Sequence, residues 1–224
     1  MVKHAHASED KEKRRNAILG AALSLFLKDT RRLPSAAAIA AKAGLAKGTV
    51  YLYFTSKEQI FAALLSREWD AFLATLRRSF AEEPGHPSRA VDRFVDNFVD
   101  FLASRTYFLR LDSLGYGLLE ANLSPAEFRD FKRSFATSLN RTSAEVDKAL
   151  ALEAGDGLRL LLRSYALARG LFQTLDFPAH ILNDSQPEDH PLTGFDFETE
   201  LRAALVEYWR GALASPPRSP RRRK

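Results

Sequence analysis

The run Lys47-Gly48-Thr49-Val50-Tyr51-Leu52-Tyr53-Phe54 puts a lysine, a threonine, a leucine and two tyrosines on one short segment, a few residues after Ser35 to Gly44. Such a set suits duplex DNA. Lysine neutralises phosphate oxygens, backbone amides donate to them, and residues as small or apolar as Thr49 and Leu52 fit a base edge or a thymine methyl in the major groove. Other chemistries find less support. The chain has no cysteine, which excludes disulfides, thiolate metal sites and thiol nucleophiles. It carries no glycine-rich phosphate loop, serine elbow or nucleophile beside a base, so no catalytic residue and no cofactor are expected. His180, Asp184, Glu188, Asp189 and His190 fall at spacings unlike those of metal ligands, as do His4 and His6. No metal site is expected.

For those side chains to act, their segment must be a helix held at a fixed angle to another. Ser35 can cap a helix whose inner face is Ile39, Ala40 and Ala43, and Gly44 reverses the chain because it takes positive φ without a Cβ clash. A short helix from Lys47 to Tyr53 follows, with Val50 and Phe54 one turn apart and directed inward. Upstream, Ser8 with Glu9 and Asp10 marks the start of a first helix that runs to Lys28 through Ile18, Ala21, Ala22, Leu25 and Phe26. Lys11, Lys13, Arg14 and Arg15 on it either extend a phosphate footprint or, interleaved with acids, are a solvated helix start. Downstream, Ser56-Lys57-Glu58-Gln59 matches a capping box, with Ser56 accepting from the Gln59 amide and the Gln59 side chain returning to the Ser56 amide. It opens a fourth helix through Ile60, Leu64, Leu65, Trp69, Phe72, Leu73 and Leu76 to Glu82, longer than a three-helix module needs.

Later segments also read as helices. Val91, Phe94, Phe98 and Phe101 make one stripe, and residues 107–121 a less regular helix interrupted by Gly115 and Gly117. Ser124-Pro125-Ala126-Glu127 combines an N-cap, a first-turn proline and a capping-box acid, opening a helix to about Leu152. Two more follow, one from Leu158 to Leu175 and one from Phe197 to Ala212, separated by a long loop from Phe177 to Gly194. The predicted class is all-α. Its organisation is a helix-turn-helix module over 1–61, a helical bundle over 62–214 joined to it by the fourth helix, and a disordered basic tail over 215–224.

Charge is segregated to match. Residues 1–60 hold 11 Lys and Arg against 5 Asp and Glu, whereas residues 61–217 hold 17 against 23. A polyanion is therefore expected at the N-terminal end. No apolar run approaches the ~18 residues of a membrane span. The N-terminus lacks the hydrophobic segment of a secretory signal, and a cytoplasmic location is expected.

The segment from Ala17 to Phe61 resembles the N-terminal domain of the TetR family of transcriptional regulators. The matching words are Ile39-Ala40-Ala41-Lys42-Ala43-Gly44-Leu45, Lys47 to Phe54, and Ser56-Lys57-Glu58. The resemblance implies a non-enzymatic homodimer that binds a palindromic operator, acts as a repressor, and is released by a small apolar ligand in the C-terminal domain. It places Lys47, Thr49, Leu52 and Tyr53 at the major groove or its flanking phosphates, with Gly48 allowing close backbone approach. Tyr51 and Lys57 would hold phosphates, and Ser35 and Ala36 complete the DNA-facing set. Ala36 and Ala46 stand where the family often has a hydroxyl.

In the bundle, the aromatic stripes are either core or the wall of a ligand pocket. The candidate lining is Phe94, Asn97, Phe98, Phe101, Phe108, Leu111, Phe131, Phe135, Leu162, Tyr165 and Arg169. Asn97 and Arg169, polar groups on apolar faces, would orient a ligand or be satisfied by other side chains or across a dimer interface. Gly170, Leu201, Leu205, Tyr208, Trp209 and Ala212 are expected to form that interface as a four-helix contact. The alternative function from another class is a helical carrier or enzyme for an apolar molecule, with a basic partner-binding end.

Overall fold

The computed structural model describes residues 2–83, 85–115, 122–177 and 191–214. Among them are nine α-helices and no strand: α1 Val2–Phe26, α2 Ala36–Lys42, α3 Lys47–Tyr51, α4 Lys57–Ala81, α5 Pro87–Ala103, α6 Thr106–Leu114, α7 Pro125–Ala149, α8 Asp156–Leu175 and α9 Phe197–Ala214, with a 3-10 turn at Pro191–Gly194 before α9. The first helix begins at Val2 and not at Ser8, and the third stops at Tyr51, with Leu52 as its C-cap. The predicted tail and the histidines and acids between 180 and 190 lie outside the described residues, as does the segment around Gly117.

The chain divides into two compact units. One contains Met1–Asp70 and Thr106–Ala136, the other Ala71–Arg105 and Thr137–Lys224. This division is discontinuous, because α4 and α7 each give residues to both.

The first unit is built on apolar faces at helical spacing. Ile18, Ala22 and Phe26 of α1, Ile39 and Ala40 of α2, Val50 of α3 and Ile60, Phe61 and Leu64 of α4 are all buried. Phe26 and Phe61 meet at 5.7 Å between ring centres. Further along α4, Trp69 packs edge-on against Phe108 at 5.2 Å and Phe135 at 4.7 Å, and its indole N–H donates to the buried Asp112 carboxylate at 3.2 Å.

Gly44 makes the turn between α2 and α3 at φ 68°. There the Gly44 amide donates to the Ala41 carbonyl at 3.2 Å and the Leu45 amide to Ala40 at 3.0 Å, closing the open end of α2. Gly44→Ala is expected to cost about 1–2 kcal/mol of stability, the penalty for a Cβ in left-handed backbone. Urea unfolding checks it; an unshifted midpoint would show that the turn tolerates a side chain.

The second unit has its core in α5, α8 and α9. Phe94, Phe98, Val99 and Leu102 of α5, Leu161 and Ala168 of α8, and Leu201, Leu205 and Trp209 of α9 are buried together with Phe72, Leu76 and Phe80 of α4. Asp147 ties the α7–α8 corner by accepting from the Gly155 amide at 2.8 Å and the Gly157 amide at 2.6 Å. A Cβ at Gly157 would sit 2.8 Å from the Ser143 carbonyl, so the close approach requires glycine.

The expected dimer interface needs correction here. Leu201, Leu205 and Trp209 are fully buried within one chain. Trp209 packs tilted against Phe94 at 4.5 Å between ring centres and donates its indole N–H to the Ser164 hydroxyl at 2.9 Å. The apolar surface of α9 covers α5 and α8 of the same chain. Gly170 is exposed, and Tyr208 and Ala212 are half-buried.

Candidate nucleic-acid interface

α3 is too short to persist alone, and its geometry is fixed from behind. Val50 and Phe54 are 1% and 2% exposed, which leaves the opposite face outward: Leu52 is 81% exposed and Tyr51 44%. The exposed leucine and tyrosine gain nothing from burial in their own chain. Lys47 and Gly48 are exposed on the same helix, and Thr49 and Tyr53 are half-buried. The Lys47 ammonium lies 5.9 Å over the Tyr51 ring. Ala46, the N-cap, offers no side-chain hydrogen bond, so the first amides of α3 keep no side-chain acceptor at the cap.

Around this face the first unit adds further groups. Lys11 and Arg14 of α1 line a groove of about 350 Å³ with Asp10, Leu52 and Tyr53. Of Lys11, Lys13, Arg14 and Arg15, this places two beside α3, whereas Lys13 pairs with Glu9 at 2.9 Å. Arg15 lies 5.2 Å over the Phe54 ring, bracing the exit of α3. Lys57 is half-buried and 3.8 Å from the Glu58 carboxylate.

Ser35 caps α2 as expected and is exposed, whereas Ala36 is not on the outer face. The Ser35 hydroxyl accepts from the Ala38 amide at 3.2 Å as the α2 cap. Ala36 is buried, so its methyl packs inward and takes no place on the outer face.

Residues 18–64 match the family described as bacterial regulatory proteins, tetR family, and residues 66–216 match the tetracyclin repressor-like C-terminal domain. The chain belongs to the TetR family. It is a ligand-responsive, DNA-binding transcriptional regulator by the domains it carries. Solved TetR-family structures share its fold. SmeT, the repressor of the Stenotrophomonas maltophilia multidrug efflux pump SmeDEF, is 18% identical with a TM-score of 0.55, covering 88% of this chain and 89% of its own. A TetR-family regulator from Streptomyces coelicolor is 18% identical at 0.54, covering 89% and 99%. A Mesorhizobium loti protein assigned to the family is 19% identical at 0.59, covering 91% and 96%. No curated protein sequence matches significantly.

The candidate pocket residues of this TetR-family chain are divided between the two compact units. Phe108, Leu111, Phe131 and Phe135 belong to the first unit, and Phe94, Asn97, Phe98, Phe101, Tyr165 and Arg169 to the second. Leu162 is 64% exposed and belongs to the outer face of α8, not to a pocket wall. Asn97 donates to the Ser79 hydroxyl at 2.9 Å, so its amide is satisfied by a neighbouring side chain. Phe94, Phe98 and Phe101 are buried, Phe98 and Phe101 each 5.0 Å from the Phe72 ring. Among the described residues no cluster of ligating side chains could hold a metal, and no helix is long and apolar enough to cross a membrane.

The second capping box forms as spaced: the Glu127 amide donates to the Ser124 hydroxyl at 3.3 Å and the Ser124 amide to the Glu127 carboxylate at 2.8 Å. The first is altered. The Gln59 amide donates to Ser56 at 3.1 Å, but the Gln59 side-chain oxygen accepts from the Thr55 amide at 2.6 Å and not from that of Ser56. Thr55 supplies a hydroxyl 3.4 Å from the same oxygen, so the side chain reaches one residue further back. The proton of that hydroxyl is donated to Glu127, the nearer acceptor, at 2.9 Å. Hydrogen bonds from Ser124, side chain before amide, and then from Thr55 hold the Glu127 carboxyl below its ordinary value, so it is ionised at neutral pH. Sequence reasoning found both boxes and missed that they meet, since nothing in either motif encodes a contact between Thr55 and Glu127.

Proposed function

We propose that the protein is a homodimeric repressor that acts by binding and not by catalysis, laying α3 of each subunit into the major groove of a palindromic operator. The outward Leu52 and Tyr51 over a buried Val50 and Phe54 are the observation that carries this reading. Lys47, Lys57, Tyr51 and the amides at the start of α3 engage phosphates, while Thr49 and Leu52 read bases and Gly48 lets the backbone approach. Tyr53, Lys11 and Arg14 flank the same face. Two such helices separated by one turn of DNA, roughly 34–36 Å, bind together where one binds weakly. A small apolar ligand in the C-terminal domain favours a dimer state with the wrong separation. SmeT, which shares the fold, is the repressor of an efflux pump, and this supports repression over activation.

The dimer face in this reading is the outside of α8. Leu162, Ala166 and Gly170 are exposed at four-residue spacing, and a Cβ at Gly170 would meet nothing within 4 Å of its own chain. A second copy covers this strip. Leu162→Glu, at a residue outside the core, is expected to turn dimers into folded monomers in sedimentation equilibrium, with operator affinity falling about a hundredfold or more because one half-site is lost. Dimers that survive both Leu162→Glu and Gly170→Trp would place the interface elsewhere. The function itself is tested by titrating duplex DNA across salt concentrations, where affinity should fall steeply as counterions are released. Flat or absent binding would favour a helical carrier.

A further inference from the structure

The helix-turn-helix of this chain is held at both ends by residues from far along the sequence, all within the first unit. Upstream of α2, the Thr30 hydroxyl accepts from the Arg110 guanidinium at 2.8 Å. Downstream of α3, the Thr55 hydroxyl donates to Glu127 at 2.9 Å. Arg110 and Glu127 lie within the region that matches the C-terminal domain, Thr30 and Thr55 within the region that matches the DNA-binding domain.

Resting on the DNA-binding reading, we propose that Glu127 is a positioning residue for operator recognition: through Thr55 it fixes the exit of α3, and so couples the first turn of α7 to the angle of the recognition helix. One carboxylate serves both ends of this link. Its one oxygen accepts from the Ser124 amide at 2.8 Å and its other from Thr55, so α7 cannot shift or unwind its first turn without pulling on Thr55. The Gln59 side chain binds the amide of the same Thr55 at 2.6 Å, which gives the link a rigid seat on α4. The groove beside it, about 540 Å³ and lined by Glu12, Arg15, Gln59, Glu127, Asp130 and Phe131 among others, leaves the carboxylate open to water. A solvated hydrogen bond of this kind biases an orientation without locking it. That is the strength a reversible regulator requires, since an effector shifts an equilibrium only by its differential affinity for the two states.

The test uses the full-length protein and the duplex it selects from a random pool. Thr55→Val keeps the shape of the side chain and removes the donor. It is expected to weaken specific binding about threefold to tenfold while leaving affinity for a scrambled duplex within about twofold. Glu127→Ala should weaken specific binding similarly, Glu127→Gln less, and Ser124→Ala, which removes the Ser124 hydroxyl but leaves its amide on the Glu127 carboxylate, by less than twofold. In the double variant Thr55→Val/Glu127→Ala the losses must not add, because both break one link. Hydrogen exchange at Tyr53 to Ser56 should accelerate in Thr55→Val and Glu127→Ala alike. Additive losses would assign Thr55 to a direct phosphate contact and overturn the proposal, as would unchanged or tighter specific binding in Thr55→Val. Wild-type protein that selects no duplex would sink the DNA-binding reading itself, and the link with it.

Discussion

Replacing Trp209 by alanine is expected to destabilise the chain by about 3–5 kcal/mol, the usual cost of deleting a buried aromatic. The indole is fully buried, 4.5 Å from Phe94 and 6.3 Å from Phe80, and its N–H is bonded to Ser164. Alanine leaves a cavity walled by α5 and α8, which the rigid Phe94 and Phe98 rings cannot close. Ser164 keeps its bond to the Leu160 carbonyl at 2.8 Å, so the loss is mainly one of packing. Denaturant unfolding followed by circular dichroism measures it. Were Trp209 an interface residue, the substitution would produce stable monomers with an unchanged unfolding midpoint, and the assignment of α9 to the intrachain core would fail.

The second large effect concerns recognition. Lys47→Ala should weaken binding to every duplex and flatten the salt dependence, because a phosphate contact carries no sequence information. Thr49→Ala should instead relax preference at one operator position, by about 1–3 kcal/mol in each half-site. Competition binding against single-base operator variants separates the two. If both substitutions left the binding profile intact, α3 would not be the reading element.

Much of the N-terminal architecture was legible because each of its signals is local. Gly44 had to reverse the chain, Ser35 had to cap, and Val50 and Phe54 had to turn inward on a helix of that length. The same locality explains the failures. Leu201, Leu205 and Trp209 form an apolar stripe whether it meets α5 and α8 of its own subunit or a second copy, and periodicity alone does not distinguish the two. Phe108 and Phe135 share a sequence pattern with Phe94 and Phe98 but belong to a different compact unit, which depends on where α4 and α7 divide. Leu162 looked like lining because its spacing suits a stripe, yet it faces outward. Ala36 carried a family position onto a methyl group that the core absorbs. The Thr55–Glu127 link joins residues 72 positions apart, and only the folded first unit brings them together.

In the proposed function a pair of α3 helices reads duplex DNA. Selection of bound sequences from a random duplex pool by the wild-type protein tests it most directly. An enriched palindrome whose half-sites lie about one helical turn apart is expected, with Thr49→Ala relaxing one symmetric pair of positions. A pool that remains random at low ionic strength, or an enriched site unaffected by every substitution in α3, would contradict it.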